Sequence, residues 1–68
     1  MVDGNSIDRL VAGNIVHRHE IEDDGLTYRG QLAGCPVYGY EDQNYILRNL
    51  DYQLPEYYML WMRYSEDN

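Results

Sequence analysis

Apolar and polar residues alternate along the stretch from Asn14 to Ala33, and this pattern predicts two β-strands joined at Asp24-Gly25. An Asp-Gly pair between two alternating runs is typical of a tight hairpin turn, because glycine accepts the positive φ angle that the turn needs. We expect one face of each strand to lie in the core. The residues on these two faces are Ile15, His17, His19 and Ile21 in the first strand and Leu26, Tyr28, Gly30 and Leu32 in the second.

A short helix is predicted before this hairpin, over residues 7–12, with a glycine directly after it as a stop signal. The apolar residues that would form one helical face are Ile7, Leu10 and Val11. Asn5 or Ser6 supplies a side chain that can cap the first turn. A helix of barely two turns is not stable alone, so we expect it to pack on the sheet. Residues 1–4 are expected to be a disordered lead.

A break and two further predicted elements follow the hairpin. Gly34-Cys35-Pro36 is expected to break the strand pattern, because proline lacks a backbone donor and restricts the residue before it. Residues 37–40 then form a short aromatic strand. Residues 45–50 fit either a helix that begins near Asp42 or a strand, and we favour the strand because the segment is short and lies among β-forming residues.

Residues 57–64 are the most apolar run, and their aromatic content and flanking proline predict a central strand buried on both faces. Residues 51–56 connect to it, with Pro55 ending any element before it, and residues 65–68 are expected to fray. These elements predict one small domain, residues 1–68, of the α+β class. A short N-terminal helix would pack on an antiparallel sheet of four or five strands, either open or curled into a small barrel.

The charge of the chain narrows the function classes. Twelve acidic residues face five arginines and no lysine, which gives a formal net charge of −7 on 8.1 kDa. This balance argues against direct binding to nucleic acid or anionic membranes and favours a basic protein partner. The alternative is that the charge only keeps a small domain in solution. Without a membrane-length apolar run, a signal-peptide pattern or a second cysteine, a cytoplasmic protein is expected.

Three residues are weak candidates for a metal or catalytic site. His17 and His19 would share a strand face about 6.5–7 Å apart, and Cys35 could complete a zinc site. No Cys-x-x-Cys or His-Glu-x-x-His motif accompanies them, so we predict neither a metal nor a cofactor. A nucleophilic Cys35 would need a cationic neighbour that the sequence does not place beside it. We therefore expect a protein that is not an enzyme.

Eight tyrosines and no phenylalanine are unusual in so short a chain, because each tyrosine hydroxyl must reach water or a partner. Some of them are expected at an interface. Together with the carboxylates they favour a surface that imitates phosphate spacing and occupies a basic groove. The predicted partner-binding residues are Glu20, Glu22, Asp23, Asp24, Tyr38, Tyr40, Glu41 and Asp42.

The function expected from these observations is non-enzymatic inhibition of a basic, nucleic-acid-binding protein by an acidic protein that docks on it. Small phage-type inhibitors of nucleases or CRISPR complexes share this size and charge, which is an analogy of composition. Two alternatives stay open. One is a Tyr-rich homodimer or a small structural subunit of a larger assembly, and the other is a small zinc-binding module that uses His17, His19 and Cys35.

Overall fold

The chain forms two short helices and a five-stranded antiparallel sheet in a computed structural model that describes residues 5–50 and 56–66. The elements are α1 Asn5–Val11, β1 Val16–His17, α2 Arg18–Asp23, β2 Thr27–Leu32, β3 Cys35–Tyr40, β4 Gln43–Asn49 and β5 Tyr57–Ser65. The strand order is β1-β5-β4-β3-β2. The α+β prediction is therefore confirmed with five strands. The barrel alternative is wrong, because β1 and β2 end the sheet without pairing with each other.

The predicted first strand of the hairpin is wrong over most of its length, because residues 18–23 form the helix α2. His17 caps this helix, since its Nδ1 atom accepts a hydrogen bond from the backbone N–H of His19 at 2.9 Å. Ile21 is fully buried. The predicted faces are exchanged at the start of the segment, where Val16 is buried and Ile15 is 52% exposed.

Asp24-Gly25 ends α2 instead of turning a hairpin. The backbone N–H of Asp24 donates to the carbonyl of Glu20, and that of Gly25 donates to the carbonyl of Glu22. Gly25 has a φ angle of +95°, which is the left-handed conformation that commonly terminates a helix. An Asp-Gly pair fits both a hairpin turn and the end of a helix, and the residues before it decide which of the two forms.

The strand predicted after Gly25 is confirmed as β2, but it lies at an edge of the sheet and is largely exposed. Leu26 is buried, whereas Tyr28 and Leu32 are about half exposed. The expected break at 34–36 is confirmed at Gly34, which lies in the turn, but it is wrong for Cys35 and Pro36, because β3 already begins at Cys35. Ala33 and Gly34 have φ angles of +54° and +80°, as in a type I′ turn, and this tight turn lets pairing resume at once.

The strand interpretation of residues 45–50 is confirmed by β4, in which Ile46 and Leu47 are both fully buried on opposite faces of the sheet. The prediction that 57–64 is buried on both faces is wrong. β5 pairs with β4 along its length, but several of its side chains are exposed. Trp61, Met62 and Tyr64 are each 45–47% exposed.

The two helices cover one face of the sheet and form the main core with it. The buried members of this core are Leu10, Val16, Ile21, Leu26, Tyr38, Tyr45 and Leu47, and Ile7, Tyr40, Tyr58 and Leu60 pack against them. The predicted N-terminal helix is confirmed, with Leu10 fully buried, although Val11 on its predicted apolar face is 45% exposed. Each helix is short, so its stability comes from this burial.

The expectations for residues 1–4, 51–55 and 67–68 lie outside the described residues. Ser65, at the start of the tail expected to fray, ends β5, and the backbone N–H of Glu66 donates to the carbonyl of Asp42 at 2.7 Å. No helix within residues 5–50 and 56–66 is long and apolar enough to cross a membrane.

Replacing Ala33 with asparagine is expected to raise the free energy of unfolding by about 0.5–1 kcal/mol, because asparagine tolerates the left-handed backbone of this turn better than alanine. Urea denaturation measures the change. Ala33→Val is the matched control and should lower stability, since a β-branched residue is strained at positive φ. A stabilising Ala33→Val would contradict the turn geometry.

Candidate acidic docking surface

The C-terminal end of α2 and the turn between β3 and β4 meet at one end of the molecule. Gly25, directly after α2, lies beside the Tyr40 ring, since a methyl group at Gly25 would come 3.8 Å from Tyr40 Cε1. Tyr40 ends β3, and the turn follows it at once. We call the four acidic residues brought together here the acidic end: Asp23, Asp24, Glu41 and Asp42.

Three carboxylates of the acidic end have no internal counterion. The side chains of Asp23, Glu41 and Asp42 make no ion pair or hydrogen bond with another residue in the described part of the chain, and all three residues are exposed. Such carboxylates keep their full capacity to accept hydrogen bonds from arginine or lysine.

Three of the five arginines are paired with acidic residues elsewhere. Arg9 pairs with Glu20. Arg18 pairs with Glu56 at 3.1 Å, and Arg29 lies 3.8 Å from Glu66. These pairs are partly solvent-exposed and add little stability. Their effect on charge is larger, because they neutralise other carboxylates and leave those of the acidic end uncompensated.

Asp24 differs from its neighbours because its carboxylate has a structural role. Its Oδ2 atom accepts hydrogen bonds from the backbone N–H of Ser6 at 2.9 Å and from the Ser6 hydroxyl at 2.5 Å. Ser6 is fully buried. The carboxylate therefore joins the end of α2 to the first turn of α1, where it also complements the positive end of the helix dipole.

Glu22 is held on the sheet by a tyrosine. The hydroxyl of Tyr38 donates to Glu22 Oε2 at 3.1 Å. Burial, followed by the hydrogen bond to Glu22 and the charge of that carboxylate, raises the pKa of Tyr38 to about 12. Burial also raises the pKa of Tyr45, on the neighbouring strand. Tyr38 is only 4% exposed, so it can affect a partner mainly through the position of Glu22.

Arg29 fixes the turn that carries Glu41 and Asp42. Its guanidinium donates to Asn44 Oδ1 and to the carbonyl of Glu41, both at 2.9 Å. To reach them it crosses β3 over Gly39, where a methyl group would overlap the guanidinium. Because the turn is tied to β2 in this way, its two carboxylates are presented on a fixed backbone.

A shallow, open depression of about 520 Å³ lies between the helices. Its lining residues are Arg9, Glu20, Asp23 and Asp24. Glu20 is neutralised by Arg9 and Asp24 is bound to Ser6, which leaves the Asp23 carboxylate as the unpaired charge. The depression has room for a lysine or arginine side chain of a partner.

The structure therefore separates the predicted docking residues into groups. It brings Asp23, Asp24, Glu41 and Asp42 together, with the partly buried Tyr40 between them. Glu20 and Glu22 lie on α2 and already have internal partners, Arg9 and Tyr38. Ser6 was expected only as a cap of α1, and no role was predicted for Arg29 or Asn44. The Ser6–Asp24 and Arg29–Asn44 contacts span 18 and 15 residues and have no local signal.

The metal candidates lie apart. The rings of His17 and His19 have centroids 6.1 Å apart. His17 Nδ1 is occupied by the cap of α2, and His17 Nε2 lies 3.3 Å from Glu56 Oε1. Cys35 is on β3, three strand spacings or about 14 Å from β1. No three His, Cys, Asp or Glu side chains of the described residues are placed to hold a metal ion.

Removing the Asp24 carboxylate is expected to destabilise the fold. Asp24→Ala leaves the buried N–H and hydroxyl of Ser6 without an acceptor, which should lower the free energy of unfolding by about 1–3 kcal/mol. Asp24→Asn retains an acceptor oxygen and should lose clearly less. Urea denaturation compares the two variants, and equal losses would show that the hydrogen bonds are not the cause.

The raised pKa of Tyr38 predicts a loss of stability at alkaline pH. In the unfolded chain this tyrosine ionises near 10, so unfolding releases a proton between pH 10 and about 12. The stability due to Tyr38 is complete below pH 10 and should fall by roughly 1 kcal/mol at pH 11. Urea denaturation of the native chain and Tyr38→Phe from pH 8 to 11 measures the difference. A difference that does not change with pH would contradict this prediction.

Comparison of the chain with protein-family models, with curated protein sequences and with solved structures gives no match.

Proposed function

We propose that this chain is a non-enzymatic binding protein whose acidic end docks on a basic surface of a partner protein. The partner belongs to the nucleic-acid-binding class, and docking inhibits it by occupying the surface that nucleic acid would use. The observation that carries the proposal is the position of the unpaired carboxylates. Asp23, Glu41 and Asp42 are exposed at one end, while Arg9, Arg18 and Arg29 pair with other carboxylates.

A fixed group of carboxylates is suited to a surface that binds phosphates. Arginine and lysine side chains that contact phosphate also form short charge-assisted hydrogen bonds with carboxylates. The acidic end presents its charges on the end of a helix and on a turn held by Arg29. Little conformational entropy is then lost on docking, and complementary charge also raises the association rate.

The same charges oppose direct binding to nucleic acid. The chain has a net charge of −7, whereas affinity for nucleic acid depends on cations that displace counterions from phosphates. Three of the five arginines are already paired with carboxylates. A protein that carries the phosphate-binding surface is therefore the better match for the acidic end.

The roles of the individual residues follow from their surroundings. Asp23, Glu41 and Asp42 are the charge contacts, and Tyr40 adds apolar area beside them. Asp24 mainly holds α1 against α2, and Tyr38 positions Glu22. Charge reversal at Asp24 is therefore a poor test of docking, because it also disturbs the fold.

The proposal is tested by affinity capture from a lysate of the native host on the immobilised chain, with stepwise elution by competing DNA or RNA and then by salt. A nucleic-acid-binding protein should be retained and released by the polymer. Purified partner is then titrated against Asp23→Asn, Asp42→Asn and the control Asp8→Asn. Each variant removes one exposed, internally unpaired carboxylate, and Asp8 lies on α1 outside the acidic end.

Asp23→Asn and Asp42→Asn should each weaken binding by roughly 3–10-fold at moderate salt, whereas Asp8→Asn should change it less than about 2-fold. Equal effects of all three variants would mean that total charge drives binding without a defined surface. Retention that ignores the competing polymer would contradict inhibition by competition with nucleic acid.

A further inference from the structure

The outer side of β5 is an open sheet edge. β1 pairs with Tyr57 and Tyr58, and no other strand of the described chain pairs on that side. The bonds at both ends fix which backbone groups point outward, since Arg18 N–H donates to the Glu56 carbonyl and Glu66 N–H to the Asp42 carbonyl. Backbone N–H and C=O groups point to alternate sides along an antiparallel strand, and the register shift opposite Ile46 and Leu47 adds one residue to β5. Counted from both ends, the backbone groups of Leu60 and Arg63 point outward.

Apolar side chains surround this open edge, which we define as residues 59–64 of β5. Trp61, Met62 and Tyr64 are 45%, 47% and 45% exposed, and Met59 and Leu60 are partly buried. The only charged residue from Tyr57 to Ser65 is Arg63. A charge-poor apolar strand with unpaired backbone groups is a template for pairing with another strand.

The opposite edge of the sheet, β2, has the features that prevent such pairing. Its register shifts between Tyr28 and Gln31, and Thr27, Arg29 and Gln31 give it polar side chains. Irregular pairing and charged residues are the usual means of protecting an edge strand. β5 carries its bulge on the side that faces β4, and its open side is apolar.

The charges on the open edge favour a second copy of this chain as its occupant. A basic partner would find no carboxylate on this edge and would meet Arg63. A second copy in antiparallel orientation brings no carboxylate into the paired segment and places the two acidic ends at opposite ends of the joined strands. A parallel pairing would instead set the two acidic ends side by side, where their charges repel more strongly.

The edge is also self-complementary in register. An antiparallel pairing with its two-fold axis between Trp61 and Met62 sets Leu60 opposite Arg63 of the second copy. The two residues with outward backbone groups then face each other, as hydrogen-bonded pairs require. Met59 lies opposite Tyr64 of the second copy, on the helix-free face, and no two arginines face each other.

We infer that the open edge of β5 pairs with the same edge of a second copy, which gives a two-fold symmetric dimer with one continuous sheet. The three half-exposed side chains contribute roughly 300 Å² of apolar surface per copy, which is below the standard interface size. The dimer should therefore be weak, with a dissociation constant on the order of 10 µM. The inference does not depend on the function proposed for the acidic end.

Sedimentation velocity of the full chain tests the dimer over a concentration range from about 1 to about 500 µM. The mass should rise from 8.1 kDa toward twice that value. Met62→Lys should weaken dimerisation at least 10-fold by burying an unpaired charge. The control Leu32→Lys changes an equally exposed residue, 48% against 47%, on β2 and should leave the dimer unchanged.

Amide hydrogen exchange of the native chain identifies the interface without any substitution. The amides of Leu60 and Arg63 should exchange more slowly as the concentration rises. Their exchange rates should fall in proportion to the fraction of the chain that remains monomeric. A monomer at all concentrations would overturn the inference and leave the edge to a segment of another protein. A dimer in which these two amides keep their rates, or in which Leu32→Lys is as disruptive as Met62→Lys, would overturn the edge pairing.

Discussion

Burial of one face of the sheet under two very short helices is the constraint on which the rest of the structure depends. α1 has seven residues and α2 has six, too few for either to persist alone in water. Leu10 of α1 and Ile21 of α2 are both fully buried. The Asp24 carboxylate then ties the end of α2 to Ser6 at the start of α1. The helices stabilise each other and the sheet as a single unit.

This arrangement leaves two surfaces of different chemistry. The acidic end combines the end of α2 with the turn after β3. Three of its four carboxylates are unpaired, while Arg9, Arg18 and Arg29 pair with carboxylates elsewhere. The open edge of β5 is apolar and nearly free of charge. We propose a basic partner for the first surface and a second copy of the chain for the other. A dimer formed through β5 would present two acidic ends, which raises the apparent affinity for a partner with two basic sites.

The sequence predicts the parts of the fold that rest on local signals. Helical spacing identifies α1, and the strand-forming composition identifies β2, β4 and β5. The sequence does not predict α2, because two patterns fit the same residues. His17, His19 and Ile21 have the spacing of one strand face, and Ile21 also fits a helix that buries it in the core with Leu10. The contacts that decide for the helix are distant ones, such as the shared core of Ile21 and Leu10 and the hydrogen bonds of Asp24 with Ser6. The sequence does not predict the exposure of β5, because this exposure depends on the length of β1. β1 pairs only with Tyr57 and Tyr58 and leaves the rest of that edge of β5 uncovered.

The candidate site was predictable only as a composition. The sequence names the acidic residues, but which of them are unpaired depends on contacts between residues far apart, such as Ser6 with Asp24 and Arg29 with Glu66. If the acidic end is the docking surface, an NMR titration of the isotopically labelled chain with its captured partner should give shift changes concentrated at Asp23, Glu41 and Asp42. Changes centred on Asp8, or spread evenly over the chain, would show that the partner does not dock on the acidic end.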